Sequence, residues 1–257
     1  MQHAGKAATS RHDEAAALAR ELAAIPLDAR LRRAGELGHA VFTTSLGLED
    51  QVLTAAIARS DAAVAVKTLE TERLFPETVE LISLTRQRYG IDLEEVHPVK
   101  SDVDAFIAAY GLNGFYESVE ARHACCDARK MKPLAVALSG ADVWITGIRR
   151  GQSQNRSHTP LAEYDPVRDL IKINPLADYD LETLKDLVEA EDIPVNPLHS
   201  RGFPSIGCEP CTRAIKPGEP ERAGRWWWEN DDKRECGLHV PSAASPITSE
   251  AGKAHSA

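Results

Sequence analysis

Short runs of apolar and β-branched residues alternate along the chain with longer segments in which apolar residues recur at helical spacing. The short runs predict five strands, at residues 40–45, 63–69, 91–96, 142–147 and 170–176. The longer segments predict helices at residues 48–60, 76–90 and 120–140. This alternation is typical of a parallel sheet covered by helices. We therefore expect an α/β fold with a mostly parallel sheet flanked by helices.

Three further parts surround this alternating pattern. Residues 13–39 predict one or two covering helices, and Asp180 is placed to cap a helix that runs to about Glu189. After residue 195, neither the helical nor the strand period persists. Residues 241–257 are poor in large apolar side chains and predict a disordered tail, as do roughly the first ten residues. We expect one domain over residues 1–240, made of the helical cover 13–39, the core 40–195 and the irregular C-terminal segment 196–240.

Composition and charge narrow the class of protein. With 257 residues and 43% hydrophobic side chains, the chain supplies a normal packed core. Its net charge of −9 argues against a general affinity for nucleic acid or for an acidic membrane surface. No apolar run approaches the roughly 18 residues of a membrane span, and charges interrupt the N-terminal stretch where a secretory signal needs apolar residues. We expect a cytoplasmic protein, in which five cysteines indicate metal ligands or catalytic groups and not disulfides.

Two cysteine pairs stand far apart in the chain: Cys125 with Cys126, and Cys208 with Cys211. A Cys-x-x-Cys motif alone also serves thioredoxin-like redox sites, but a second pair elsewhere favours a four-thiolate metal site. Neighbours on a helix point about 100° apart, which a wide iron–sulfur cluster accommodates more easily than one zinc ion. The pattern favours a cluster, with zinc and buried structural thiols as the alternatives.

Two loops follow the first two predicted strands, at the edge of the sheet where backbone N–H groups and helix dipoles attract phosphate or sulfate. In the first loop, Ser45 offers a hydrogen bond and Gly47 permits close approach of a ligand to the backbone. In the second, Leu69 and Thr71 are placed to face an adenine. Each loop alone is equally compatible with an ordinary connection.

A third loop and the C-terminal segment add basic residues. WITGIRRGQSQNR, at residues 144–156, contains Gly147, Arg149 and Arg156. Guanidinium groups suit bidentate contacts with phosphate or sulfate. Arg222 and Arg225 precede three consecutive tryptophans, of which at least two are expected to anchor the segment by packing. The coincidence of three such loops at one sheet edge predicts an anion-binding site.

A single late cysteine, Cys236, follows Lys233 and Arg234 and precedes His239. A free thiol is only a few per cent thiolate at neutral pH, so an effective nucleophile needs positive charge nearby. The basic neighbours and the upstream arginines could supply that charge. Cys236 is therefore a candidate nucleophile, and a spare thiol near the chain end is the alternative.

Four motifs together resemble the assimilatory sulfonucleotide reductases, specifically their iron–sulfur adenylyl-sulfate reductase branch: CCDARKMKPL, WITGIRRGQS, GCEPCTR and ERAGRWWWENDDKRECGLH. The resemblance spans nearly all of residues 35–240. It implies an adenine nucleotide alpha hydrolase-like (PP-loop) fold with an irregular cluster-binding C-terminal segment. Relatives that prefer the 3′-phosphorylated substrate typically lack the four paired cysteines, so the resemblance favours adenylyl sulfate.

The resemblance also implies roles for individual residues. The four paired cysteines would hold a [4Fe-4S] cluster that tunes charge at the site and carries no electrons. Cys236 would attack the sulfate sulfur of adenylyl sulfate, AMP would leave, and thioredoxin, a separate protein, would release sulfite from the Cys S-sulfonate. Lys130 matches the family lysine between cluster and substrate. The residues that match positions gripping the phosphosulfate are Arg156, Arg222, Arg225 and His239.

One departure concerns ATP-using relatives of the fold, which tend to read Ser-Gly-Gly-x-Asp-Ser where this chain reads SLGLED. Leu46 replaces one of the two glycines that wrap a pyrophosphate, so cleavage of ATP is disfavoured. Three alternatives stay open: a reductase of the 3′-phosphorylated substrate or of both substrates, an ATP-dependent adenylating enzyme, and a metal-bearing binding protein without turnover. The sequence leaves formation of a homo-oligomer open.

Overall fold

The computed structural model describes residues 10–229. Within that range six strands form one sheet: β1 Ala40–Thr44, β2 Val64–Leu69, β3 Leu93–Val96, β4 Val143–Ile145, β5 Ala162–Asp165 and β6 Leu170–Ile173. Their order is β3-β2-β1-β4-β6-β5. All neighbours pair parallel except β5 and β6, which pair antiparallel. The predicted mostly parallel sheet is confirmed.

Helices flank the sheet: α1 Arg11–Ala23, α2 Leu27–Glu36, α3 Leu48–Ser60, α4 Pro76–Tyr89, α5 Lys100–Tyr110, α6 Val119–Cys126, α7 Lys132–Ala137 and α8 Leu181–Ala190. The predicted covering helices, α3 and α4 are confirmed. Asp180 caps α8 as predicted, because its carboxylate accepts a hydrogen bond from the Thr183 N–H at 2.7 Å. None of the helices described combines the length and the apolar character that crossing a bilayer requires.

The helix predicted at 120–140 is confirmed as a helical stretch over residues 119–137. It is divided into α6 and α7 by a five-residue π-helical segment, Asp127–Met131. Pro133 lacks a backbone N–H, so it cannot continue the hydrogen-bond ladder of the preceding turn. A π-helical insertion changes the direction in which the following side chains point and is frequent at functional sites.

Two elements escaped the sequence prediction, α5 and β5. Only Val103 and Phe106 of α5 are buried, so its apolar stripe is short. β5 is a four-residue edge strand, AEYD, in which apolar and polar residues alternate over only four positions. The strands predicted at 142–147 and 170–176 exist as β4 and β6 but end two or three residues earlier.

The centre of the sheet forms the core, and its strand ends position the loops of interest. Val41 and Phe42 of β1 and Ile145 of β4 are completely buried. The parallel register places Thr44 opposite Thr68 and Phe42 opposite Ile145, so β1, β2 and β4 deliver their following loops to one edge. The predicted single domain over 1–240 and the tail at 241–257 extend beyond the described residues and stay predictions.

Candidate active site

A cavity of about 190 Å³ opens at the carboxyl ends of β1, β2 and β4. β1 and β4 are neighbours although their connections run to opposite sides of the sheet, which is the position where open α/β sheets bind ligands. Nine of the predicted site residues line this cavity: Ser45, Gly47, Leu69, Thr71, Lys130, Gly147, Arg156, Arg222 and Arg225. The fold therefore brings together three loops and the C-terminal segment.

The first loop is shaped by a carboxylate. The Asp50 Oδ2 atom accepts hydrogen bonds from the Ser45 N–H at 2.5 Å and from the Ser45 hydroxyl at 2.7 Å. Burial raises the pKa of Asp50 to about 6, against the opposing effect of these hydrogen bonds. A Cβ atom on Gly147 would lie 2.0 Å from the Asp50 Oδ1 atom. Gly147 is therefore required by the close approach of the Asp50 carboxylate to the third loop.

The second loop joins the cavity to the cysteines. The Thr71 hydroxyl lies 3.3 Å from the Cys208 sulfur. The Arg129 Nη1 atom donates to the Thr71 carbonyl at 2.7 Å and to the Glu72 carboxylate at 2.8 Å. Arg129 belongs to the π-helical segment, so one short stretch of chain is attached to both the predicted adenine-facing loop and the region of the paired cysteines.

The four paired cysteines line one smaller cavity, together with Lys130, Phe115 and Trp226. Burial raises the pKa of the Cys211 thiol to about 12, and burial together with the nearby Cys208 raises the pKa of Cys125. In the part of the chain described, no group of three or more His, Cys, Asp or Glu side chains is arranged around a single ion. Lys130 and Trp226 line both cavities, so these two residues lie where the cavity of the thiols adjoins the larger cavity.

The three consecutive tryptophans differ in burial, and two of them pack against other side chains, as the sequence predicted. Trp226 is fully buried, with the Arg122 and Arg225 guanidinium groups 4.9 and 4.7 Å from its ring centroid. Trp228 packs edge-on against Tyr116 at 4.5 Å. Trp227 is 46% exposed.

Gly207 lies directly against Arg225, because a Cβ atom there would be 2.2 Å from the Arg225 Nη2 atom. The Arg225 Nη1 atom donates to the neighbouring Ile206 carbonyl at 3.2 Å, so the backbone before Cys208 holds this guanidinium at the cavity.

Arg149 is not among the residues that line the cavity. Its buried guanidinium donates to Glu49 at 2.7 Å and to Glu221 at 2.9 Å. Gln152, which does line the cavity, accepts a hydrogen bond from the Arg156 Nη1 atom at 2.6 Å. Cys236 and His239 lie outside the described residues.

Several cavity residues were missed by the sequence reasoning: Glu49, Asp50, Gln152 and Glu221. Three of these residues are acidic, and an acidic side chain does not by itself indicate an anion-binding site. Glu49 and Asp50 come two and three residues after Gly47, and Glu221 directly precedes Arg222, so position close to a predicted ligand loop was the available signal.

Comparison with known proteins agrees with this geometry. Residues 39–214 match the model of the phosphoadenosine phosphosulfate reductase domain. An adenosine 5′-phosphosulfate reductase of Rhizobium meliloti is 68% identical over 86% of this chain and 83% of its own length. One from Sinorhizobium fredii strain USDA 257 is 64% identical over 94% and 96%. One from Agrobacterium fabrum is 63% identical over 91% of both chains.

Solved structures confirm the predicted fold class. A phosphoadenylyl-sulfate reductase from Candida auris, in a phosphate complex, has a TM-score of 0.68 and 24% identity over 82% of this chain and all of that chain. A yeast FAD synthetase in complex with FAD has a TM-score of 0.50 and 18% identity over 82% and 70%. At such identities the likeness concerns the fold alone. The domain match and the sequence identities show that this chain belongs to the phosphoadenosine phosphosulfate reductase family.

Proposed function

We propose that this chain reduces adenosine 5′-phosphosulfate to sulfite and AMP in assimilatory sulfate reduction. The observation that carries the proposal is the shared wall of the two cavities, where Lys130 separates a nucleotide-sized cavity from four thiols. Relatives at 62–68% identity that bear this activity in their names support the choice of substrate. The absence of a two-glycine loop, with Leu46 in place of one glycine, argues against ATP as substrate.

The charges of the cavity suit a phosphosulfate. Its lining includes four cations, Lys130, Arg156, Arg222 and Arg225. A thiolate that attacks a sulfate group meets negative oxygen atoms, so these cations must first neutralise the substrate. The same groups stabilise the phosphate of AMP as it leaves. Ser45, Gly47, Leu69, Thr71 and Gly147 complete the proposed substrate site.

Cys236 is the proposed nucleophile, with His239 as its neighbour in the same segment. Its thiolate forms a bond to the sulfate sulfur while the bond from that sulfur to the bridging oxygen breaks, and AMP departs with the oxygen. The product on the enzyme is a Cys S-sulfonate. A thioredoxin dithiol then attacks the Cys236 sulfur, sulfite leaves, and closure of the thioredoxin disulfide supplies the two electrons and returns Cys236 as a thiol.

The four paired cysteines fit a [4Fe-4S] cluster. They surround one cavity and their sulfur donors match the ligands of such clusters. When bound, the cluster would supply charge next to the substrate site. We assign the chain to the cytoplasm, where thiols stay reduced.

The decisive experiment is anaerobic purification, followed by incubation with adenosine 5′-phosphosulfate and reduced thioredoxin. We expect sulfite and AMP in equal amounts, iron and sulfide in the purified protein, and the added mass of one SO3 group on residue 236 when thioredoxin is omitted. Cys236→Ser should retain iron and produce no sulfite. An active Ser variant, or wild-type protein that never gains this mass, would overturn the mechanism.

The same assay settles substrate preference. Turnover of the 3′-phosphorylated sulfonucleotide is measured in parallel with that of adenosine 5′-phosphosulfate. We expect a larger kcat/KM for the latter. A reversed preference would assign the chain to the alternative activity, and release of pyrophosphate from ATP would indicate an adenylating enzyme.

A further inference from the structure

The side chain of Arg149 connects two carboxylates from distant parts of the chain. Its Nε atom donates to the Glu49 carboxylate at 2.7 Å, and its Nη2 atom donates to both Glu221 oxygens at 3.1 and 2.9 Å. The Arg149 side chain is only 3% exposed, whereas those of Glu49 and Glu221 are 13% and 24% exposed. Guanidinium groups are suited to such two-sided contacts, because their donors form a rigid planar fork.

Arg149 is itself held in a fixed position relative to the sheet. Just after β4, the Thr146 N–H donates to the Ile173 carbonyl at 3.0 Å, and the Arg150 N–H donates to the Ala177 carbonyl at 3.1 Å. The Gln152 side chain accepts a hydrogen bond from the Arg149 N–H at 3.3 Å. The guanidinium group therefore projects from a backbone that is hydrogen-bonded on both sides.

Glu221 lies on an excursion of the chain, residues 213–225, that carries the cavity arginines. The base of this excursion is closed by the hydrogen bonds from the Arg213 N–H to the Gly224 carbonyl at 3.0 Å and from the Trp226 N–H to the Cys211 carbonyl at 3.1 Å. Arg225 is at the base, and Arg222 follows Glu221 directly. The contact between Arg149 and Glu221 thus attaches the outer part of this excursion to the loop that follows β4.

We propose that Arg149 is a positioning residue, which holds Glu221 and thereby orients Arg222, and to a smaller extent Arg225, toward the phosphosulfate. The proposal rests on the proposed function. Arg149 acts through Glu221 and does not itself contact the substrate. Its second bond, to Glu49, attaches the start of α3 to the same point, so the phosphate-binding loop and the arginines share one anchor.

If Glu221 acted only through its negative charge, its removal would have the opposite effect on substrate binding. Glu221 lines an anion-binding cavity, so removal of its negative charge should strengthen binding of an anionic substrate if Glu221 has no positioning role. If Glu221 holds the excursion in place, the same removal should weaken binding. The neutral substitution Glu221→Gln therefore separates the two explanations, since it preserves the size of the side chain.

The test uses the full-length holoprotein with Glu221→Gln, Arg149→Gln, the double variant, and Arg150→Gln as the matched control. Arg150 carries the same charge one residue away, does not line the cavity, and donates from its Nε atom to the Thr159 carbonyl at 2.9 Å. KM and kcat for adenosine 5′-phosphosulfate are measured with hydrogen–deuterium exchange of residues 213–229 without ligand.

We expect Glu221→Gln and Arg149→Gln each to raise KM about tenfold, which corresponds to roughly 1.4 kcal/mol, with a smaller change in kcat. Amide exchange at residues 213–229 should become faster in both variants, and Arg150→Gln should change neither quantity more than about twofold. The double variant should be no worse than Arg149→Gln, because both residues act through one contact.

A lower KM for Glu221→Gln, or unchanged exchange in that variant, would overturn the proposal, even if Arg149→Gln fails to fold. Wild-type protein that produces no sulfite would refute the proposed function, whereas the exchange rates would still decide whether the attachment exists.

Discussion

Leu46 shows at the scale of one residue how the chain replaces the glycine of ATP-using relatives. Its φ of 57° lies in the left-handed region, which costs an ordinary residue about 1 kcal/mol. Its side chain is 1% exposed, and burial of a leucine contributes roughly 2 kcal/mol. Its N–H donates to the Thr44 hydroxyl at 3.0 Å. The backbone can therefore keep a glycine-like turn while the leucine side chain is anchored in the core.

Gly147→Ala should abolish tight binding of AMP and of substrate. The new Cβ atom would lie 2.0 Å from the Asp50 Oδ1 atom and 3.3 Å from the Glu49 Cβ atom, so the first and third loops must move apart. We expect a rise of at least tenfold in the AMP dissociation constant, measured by calorimetry. Gly140→Ala is the control, because its φ is +72° but no atom lies within 4 Å of the new Cβ. Equal affinities in the two variants would contradict this explanation.

Asp50 predicts a pH dependence of stability. Its pKa is raised from 3.8 to about 6 on folding, chiefly by burial, with Glu49 raising it and Arg156 lowering it. The unfolded chain therefore loses this proton more readily, so the stabilising contribution of the protonated group is lost as the pH rises through about 6. At pH 8, ionisation of Asp50 lowers the free energy of unfolding by about 3 kcal/mol relative to a side chain that stays neutral.

Asp50→Asn removes this titration. The free energy of unfolding of the variant minus that of wild type should be larger at pH 8 than at pH 5, because only wild type loses stability as Asp50 ionises; denaturant titration at both pH values measures this difference. Stability curves that remain parallel from pH 4.5 to pH 8 would contradict a raised pKa of Asp50.

At the scale of elements, the interrupted helix connects the two halves of the cysteine set. α6 carries the first pair, and Arg122 on its buried face donates to the Glu229 carboxylate at 2.6 Å, where the two side chains are 0% and 4% exposed. The π-helical segment that follows turns Arg129 toward Thr71. One element is thus attached to the end of the described C-terminal segment and to the second loop.

Arg122→Met should destabilise the protein by about 3–5 kcal/mol, because it leaves a buried carboxylate without the guanidinium that faces it. The double variant Arg122→Met/Glu229→Gln should recover part of this loss. Thermal unfolding of the anaerobic holoprotein measures both.

The control is Lys100→Met in the exposed pair of Lys100 and Asp104, whose side chains are 86% and 57% exposed. This substitution should cost less than about 0.5 kcal/mol. Similar losses in the buried and exposed pairs would show that burial of the Arg122 pair is unimportant.

At the scale of the whole molecule, the fold places two cavities side by side and builds them from segments far apart in the chain. The sheet edge supplies the loops of the larger cavity, while the C-terminal segment supplies two thiols to the smaller one and two arginines to the larger. Cys208 contacts Thr71 at the boundary. We therefore expect order at the thiols and order at the larger cavity to be coupled.

Cys208→Ala should lose the metal and loosen the C-terminal segment together, because residues 197–229 contain no long helix or strand to hold them. Iron analysis should fall from roughly four atoms per chain to less than about one, and limited proteolysis should become faster in this segment. Cys236→Ala is the matched control and should keep its iron. Full iron content in Cys208→Ala would remove Cys208 from the ligand set.

The order of elements and the positions of most site residues followed from the sequence. Periodicity located α3, α4 and five of the six strands, β1, β2, β3, β4 and β6, and it missed α5 and β5 because their patterns are short. Motif spacing selected Ser45, Gly147 and Arg225, which line the cavity. The same motif also selected Arg149, which does not line the cavity and bonds to Glu49 and Glu221 instead. Motif spacing does not record the direction in which each side chain of a loop points.

Local periodicity and motifs read along the chain were sufficient to predict the fold class, the family and the residue types available for chemistry. Contacts between distant residues were needed to find that Asp50 fills the space next to Gly147 and that Arg149 bonds to Glu49 and Glu221. The physical reason is that burial and charge pairing depend on distances between residues far apart in the chain, which no local pattern records.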